Sequence, residues 1–248
     1  MNSRKPIYLM AGGEFRQPSR MIPRIQAILA ATGRNRPRVA YIGTANRDDA
    51  SFYSFASDLI RKAGARYVPH VLLSAPKSGL AGARSLLDAA DAVFVSGGDV
   101  KEGMRPFQGN DLVSCLKSMY DSGILFFGIS AGSIMLGTHW VEWENPDDES
   151  SAALFDCIGI APVVCDTHAE EDGWEELIAA VHLMQEGARG YGIPSGGTLR
   201  INPDGSMEAL DKPVVRYVKK AGGVAGIDAI PLNDSGRLLG SRPEIQRN

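Results

Sequence analysis

Short apolar runs recur through the first half of the chain, and a turn of small residues follows most of them. The runs occupy residues 6–10, 38–42, 67–72, 92–95 and 124–127. Between them apolar side chains return at helical spacing, as at Met21, Ile22, Ile25, Ile28 and Leu29. Further helices are expected over 50–63, 80–90 and 104–122. Strands that alternate with helices imply a doubly wound, mostly parallel sheet with right-handed crossovers. Such sheets gather ligands outside the carboxyl ends of their strands. The informative residues are therefore those just after each strand: Gly12-Gly13, Gly43-Thr44, Gly97-Gly98-Asp99 and Ser130.

The last of these turns carries the sharpest signal. The apolar run 124–127 leads into Gly128-Ile129-Ser130-Ala131-Gly132, and Ile134-Met135-Leu136 follows. Strand, Gly-x-Ser-x-Gly and helix, in that order, make a nucleophile elbow. Gly128 and Gly132 allow strand and helix to approach closely, and Ser130 is then held on a strained turn with its hydroxyl exposed.

Beyond the elbow the texture changes. Residues 139–144 alternate like a strand, and 145–151 form a polar loop. Residues 158–165 are apolar again and precede Asp166-Thr167-His168, and a helix is expected over 173–186. Short β segments follow at 190–193, 198–201, 207–210 and 214–218, with Asn202-Pro203-Asp204-Gly205 as a hairpin turn. The tail beyond about 233 is polar and is expected to be only partly ordered. No repeat or low-complexity linker divides the 248 residues, so a single domain over 1–248 is expected.

A net charge of −3 argues against nucleic acid or an anionic membrane as the main partner. No apolar run approaches the roughly 18 residues of a bilayer span. Residues 1–6 lead into no apolar signal segment, and Cys115, Cys157 and Cys165 are scattered as reduced thiols are. A cytoplasmic protein, monomeric or homodimeric, without a metal-site pattern is the expectation.

A serine nucleophile needs a base within hydrogen-bond reach. Of the four histidines, His168 follows an apolar strand and so should share the sheet edge with Ser130; His70, His139 and His182 are the alternatives. The base needs an orienting carboxylate. Glu142 and Glu144, two apart on one strand, are candidates, and Glu170 competes. An oxyanion hole needs two N–H groups. Ala131 supplies one, and the Gly97-Gly98 turn, here Gly98, supplies the other. Gly12-Gly13 and Gly97-Gly98 lack the spacing of nucleotide-binding glycine motifs.

Together these motifs resemble the peptidase E family of serine dipeptidases, which also includes the cyanophycinases. The resemblance covers roughly residues 6–200. It rests on Phe94-Val95-Ser96-Gly97-Gly98-Asp99, Gly128-Ile129-Ser130-Ala131-Gly132-Ser133, Phe155-Asp156 with His168, and Tyr191-Gly192-Ile193-Pro194. It implies a flavodoxin-like three-layer sandwich, shared with class I glutamine amidotransferases, here with a small C-terminal β extension. It also implies Ser130 as nucleophile, His168 as base, an acid near Glu144, and an oxyanion hole at Gly98 and Ala131. Gly97, Asp99, Glu142 and Glu170 are further residues expected to meet substrate. A small peptide is the implied substrate, and no cofactor is implied.

Two departures stand out. Aspartyl dipeptidases of the family carry an arginine after the histidine, whereas residues 169–176 here are Ala-Glu-Glu-Asp-Gly-Trp-Glu-Glu. That segment repels an N-terminal aspartate and suits an α-amino group or a basic side chain. Family members often place an acid where this chain has Ser195. The main expectation is a dipeptidase-like serine hydrolase. Its alternatives are a cyanophycinase-like isoaspartyl peptidase or amidohydrolase, and a non-catalytic amidotransferase-like domain that binds a ligand. The amidotransferase nucleophile is a cysteine, which disfavours glutamine hydrolysis, but the order His168-Ala169-Glu170 matches that pattern and keeps Glu170 open as the acid.

Overall fold

The chain runs β1 (Ile7–Met10), α1 (Pro18–Ala30), β2 (Val39–Ile42), α2 (Ala50–Lys62), β3 (His70–Val71), α3 (Leu80–Asp88), β4 (Ala92–Val95), α4 (Val100–Met104), α5 (Leu112–Asp121), β5 (Leu125–Ile129) and α6 (Ala131–Leu136). It continues β6 (His139–Trp143), β7 (Ala152–Asp156), β8 (Val164–Thr167), α7 (Glu175–Leu183), β9 (Arg189–Ile193), β10 (Thr198–Ile201), β11 (Met207–Leu210), β12 (Val214–Lys220) and β13 (Gly223–Ile230). The computed structural model describes residues 4–13, 17–74, 80–108, 111–145 and 148–232. The expected tail beyond 233 and the middle of the 145–151 loop lie outside them.

Seven strands make the central sheet, in the order β11-β10-β1-β5-β4-β2-β3. β1, β5, β4, β2 and β3 pair in parallel, while β10 and β11 are antiparallel additions. Successive side chains on a strand point to opposite faces, and here both faces are buried. Ile7, Leu9, Val93, Val95 and Phe126 pack with the side of α3 to α6. Tyr8, Met10, Phe94, Leu125 and Phe127 pack with α1 and α2. Two-sided burial is why these strands read as unbroken apolar runs, and it gives the three layers expected. Within the described residues no helix is long and apolar enough to cross a membrane.

The C-terminal β segments divide between two places. β10 and β11 extend the central sheet, with Gly205 N–H donating to Asn202 O at 2.9 Å in the hairpin between them. β8, β9, β12 and β13 form a second, four-stranded sheet, and β6 with β7 form a separate hairpin. α7 packs Leu177 and Val181 against Val141 of β6 and Val164 of β8.

Three expectations need correction. Residues 104–122 are not one helix: α4 ends at Met104, a 3-10 turn spans Arg105–Phe107, and α5 starts at Leu112. Pro106 cannot donate into a continuing helix and its ring clashes with the preceding turn. The strand over 67–72 shrinks to two residues, with Tyr67 making an isolated bridge to Arg38, because Pro69 interrupts the ladder. The strand over 158–165 begins only at Val164. Before it, Gly159 has a φ of 69° and Ile158 and Ala161 donate backbone bonds to Met135 and Leu136. β7 and the glycine-containing β13 carry no clear strand pattern in the sequence and emerge only in the structure.

Candidate active site

Four turns meet at the carboxyl ends of β1, β4, β5 and β8. Ser130 follows β5 with φ 53° and ψ −128°, a conformation serine rarely adopts. Its N–H donates to Met10 O at 2.9 Å, and its own carbonyl accepts from Ser133 N at 2.8 Å. The fully buried Ser133 hydroxyl donates to the same Met10 carbonyl at 2.9 Å. These bonds fasten the elbow to β1. The glycines are a steric necessity: a Cβ on Gly128 would lie 2.6 Å from Gly132 O, and one on Gly132 would lie 2.2 Å from Val95 O.

His168 follows β8 and also has a left-handed backbone, φ 48°. Its N–H donates to Ile193 O at 2.9 Å, which continues the β8–β9 pairing past Thr167. The two strained residues face each other, and Ser130 Oγ lies 2.7 Å from His168 Nε2. The turns after β1 and β4 close in on this pair. A Cβ on Gly12 would sit 3.3 Å from His168 Cδ2, and one on Gly97 would sit 3.0 Å from Ser130 Cβ. The other histidines are engaged elsewhere. His70 stacks on Tyr53 at 4.3 Å, His139 pairs with Asp156 at 3.4 Å, and His182 lies 3.4 Å from Lys219 Nζ.

Gly98 has φ 146°, and a Cβ there would fall 2.0 Å from Ala45 O. Among the described residues neither Gly98 N–H nor Ala131 N–H has an acceptor. Both residues line one cavity with Ser130 and His168. The peptide that ends in Gly98 N–H is held from its other end, where Asn46 Nδ2 donates to Gly97 O at 3.2 Å. The same amide reaches Ser96 Oγ at 3.0 Å and Tyr41 OH at 3.2 Å. Asn46 thus sets the peptide plane of the Gly97-Gly98 turn. Sequence reading marked the turn after β2 but not this residue.

The acidic residues part company. Glu142 pairs with Lys101 at 2.8 Å. Glu144 stands exposed just past β6, with no partner among the described residues. Glu170 accepts from Ser195 N at 2.9 Å, tying the loop after β8 to the end of β9. Burial raises its carboxyl, but hydrogen bonds from its own backbone and Ser195 prevail and hold it below the ordinary value. None of the three hydrogen-bonds His168, and none lines the cavity. Asp99 does line it, while its side chain caps α4 by accepting from Glu102 N at 2.8 Å.

The cavity in front of Ser130 measures about 390 Å³. Asp166, Trp140 and Glu176 contribute to its wall; Glu176 belongs to the acidic segment 169–176 singled out in the sequence, whereas Asp166 and Trp140 were not foreseen. Asp166 Oδ1 accepts from Thr167 N at 2.7 Å, while Oδ2 is buried without a partner. Burial, then the nearby Glu176 and Asp172 charges, push its carboxyl up to about 7. An acid directly after the apolar run Val163-Val164-Cys165 was the available signal. A larger depression of about 520 Å³ lies between α3 and α5, but there burial raises the Cys115 thiol, and no histidine is among the described residues that line it.

Two solved structures share this architecture. A peptidase from an acI-B1 Actinobacterium superposes with a TM-score of 0.65 at 18% identity, covering 92% of this chain and 97% of its own. A protein described as a peptidase E from Listeria monocytogenes EGD-e gives 0.58 at 14% identity, covering 83% and 98%. None of the curated proteins matches the chain. At these identities the two structures speak to the fold. Residues 7–208 match Peptidase family S51, a span that takes in the elbow, the Gly97-Gly98 turn and His168, and on it the chain belongs to that family of serine-type peptidases.

Proposed function

We propose that the protein hydrolyses amide bonds of small peptides, as a dipeptidase does, with Ser130 as nucleophile and His168 as its base. The observation that carries this is the 2.7 Å approach of Ser130 Oγ to His168 Nε2, on two backbones held in strained conformations. Ser130 Oγ attacks the scissile carbonyl while His168 Nε2 takes its proton. The carbonyl oxygen, now an anion, receives the free N–H groups of Gly98 and Ala131. His168 then gives the proton to the departing amine, leaving an acyl-serine. Water, deprotonated by the same imidazole, releases the acid and restores the hydroxyl.

The acid of a triad is not part of this reading as Glu144. Glu170 is instead given a positioning role, because it braces the loop on which His168 sits. A cavity of about 390 Å³ suits a short peptide. Three cysteines without disulfides accord with a cytoplasmic setting. The test is turnover of a dipeptide library by the parent and by Ser130→Ala. Removing a catalytic serine should lower kcat by on the order of 10⁴-fold or more. Equal turnover by the folded Ser130→Ala protein overturns the assignment.

A further inference from the structure

The cavity in front of Ser130 has a lining of one sign. Asp99, Asp172, Glu175 and Glu176 line it with Asp166, and no lysine or arginine does so among the described residues. The cations on neighbouring α4 and beyond are already paired. Lys101 binds Glu142 at 2.8 Å, and Arg47 and Arg105 bind Glu102 at 3.3 and 2.8 Å. An acidic rim alone is an ordinary solvated surface. Asp166 makes this one different, because it is only 5% exposed, borders the cavity, and keeps Oδ2 buried with no donor. Such an oxygen is costly to bury unless something supplies the missing hydrogen bond.

Glu176 contributes from another element. Trp140 Nε1 donates to its Oε2 at 2.7 Å, which fixes the carboxylate and leaves Oε1 without a partner among the described residues. The half-buried Trp140 ring also offers an apolar wall to an aliphatic stem and a π face to a cation. No three His, Cys, Asp or Glu side chains among the described residues converge as metal ligands do. The spread of carboxylates suits a bulky organic cation better than a metal ion.

We propose that this cavity is the specificity pocket of the peptidase and takes the ammonium or guanidinium group of a lysine or arginine side chain of the peptide, held by Asp166 and Glu176. The inference rests on the hydrolase reading above and names its substrate class. The upward displacement of the Asp166 carboxyl accords with it, since burial and the Glu176 and Asp172 charges cause that displacement and a bound cation offsets both.

The test is kcat/KM on dipeptides that carry lysine, arginine, norleucine or aspartate in either position, with and without an acetylated α-amine. Lysine and arginine should exceed norleucine by on the order of 10- to 100-fold, the worth of a charge-assisted hydrogen bond in a desolvated site. Asp166→Asn and Glu176→Gln should each draw that ratio toward one. No preference, or a preference for aspartate, overturns the proposal. So does a preference that vanishes on α-acetylation, which would place the α-ammonium in the pocket. Calorimetry on Ser130→Ala gives an arm without turnover, in which lysinamide should bind more tightly than norleucinamide and equal binding overturns the pocket. If no peptide is cleaved and Ser130 resists fluorophosphonate, the hydrolase reading fails, and calorimetry still judges the pocket.

Discussion

Asp166 makes a prediction about stability that is separable from catalysis. Its carboxyl rises from the ordinary 3.8 to about 7 because burial, and next the acids Glu176 and Asp172, disfavour the charged form. The displacement is about 3 units at 1.36 kcal/mol each, which sets a stability cost on the order of 4 kcal/mol at alkaline pH. The sign follows from proton uptake. Below about pH 4 the carboxyl is protonated in both folded and unfolded chains, so there is no cost. Between about pH 4 and 7 the unfolded chain releases a proton that the folded chain retains, and stability falls as pH rises. Above about 7 the cost is complete. Asn at 166 does not titrate, and its carbonyl still accepts from Thr167 N, where Asp166 Oδ1 does now. Its amide N–H₂ needs an acceptor of its own, which reduces the gain. Asp166→Asn should therefore exceed the parent by about 2–4 kcal/mol at pH 8, with the difference closing toward pH 4. Urea unfolding at pH 4.5, 6 and 8 measures it. A difference that does not vary with pH, or a parent that gains on the variant as pH rises, refutes the reasoning. A buried charge that costs this much stability and is nonetheless present is what a binding role would require.

Three further perturbations probe the frame around Ser130. Gly98→Ala places a Cβ 2.0 Å from Ala45 O at a φ of 146°; thermal denaturation should show a loss of about 3 kcal/mol or more, and an unchanged midpoint contradicts the packing. Asn46→Ala frees the Gly97-Gly98 peptide, so kcat should fall by about 10- to 100-fold with KM little moved; steady-state kinetics with an unchanged kcat would show that the turn holds itself. Glu170→Gln weakens the bond to Ser195 N and should lower kcat by about 3- to 10-fold, whereas Glu144→Gln, at an exposed position, should change it by less than about twofold. The opposite ranking restores Glu144 as the orienting acid.

Much of this architecture was legible because the parallel strands are buried on both faces. Ile7 to Met10, Ala92 to Val95 and Leu125 to Ile129 are apolar throughout, and the turns after them are short and glycine-rich. The sheet edge rule then put Gly97-Gly98, Ser130 and His168 in one neighbourhood without any contact being known. Breaks within elements were less visible, since Pro106 and Pro69 each act locally on a pattern that remains apolar around them. The acids were hardest to place. Glu142 and Glu144 share a strand face as alternation requires, yet Lys101 claims one and the end of β6 strands the other. Their fate depends on how the β6–β7 hairpin sits, which no local pattern encodes. Asp166, Trp140, Glu176 and Asn46 meet the site through tertiary packing of β8, β6, α7 and the turn after β2. The acidic segment that ends in Glu176 and the acid that follows the apolar run before Thr167 were the clues among them.

The central claim is that Ser130 is a nucleophile activated by His168, and its most direct test is the site of fluorophosphonate modification. The parent protein should take one adduct, located by peptide mass spectrometry on Ser130. His168→Ala should label far more slowly, because the hydroxyl loses its base. An adduct on another residue, or equal labelling of Ser130 with and without His168, contradicts the account.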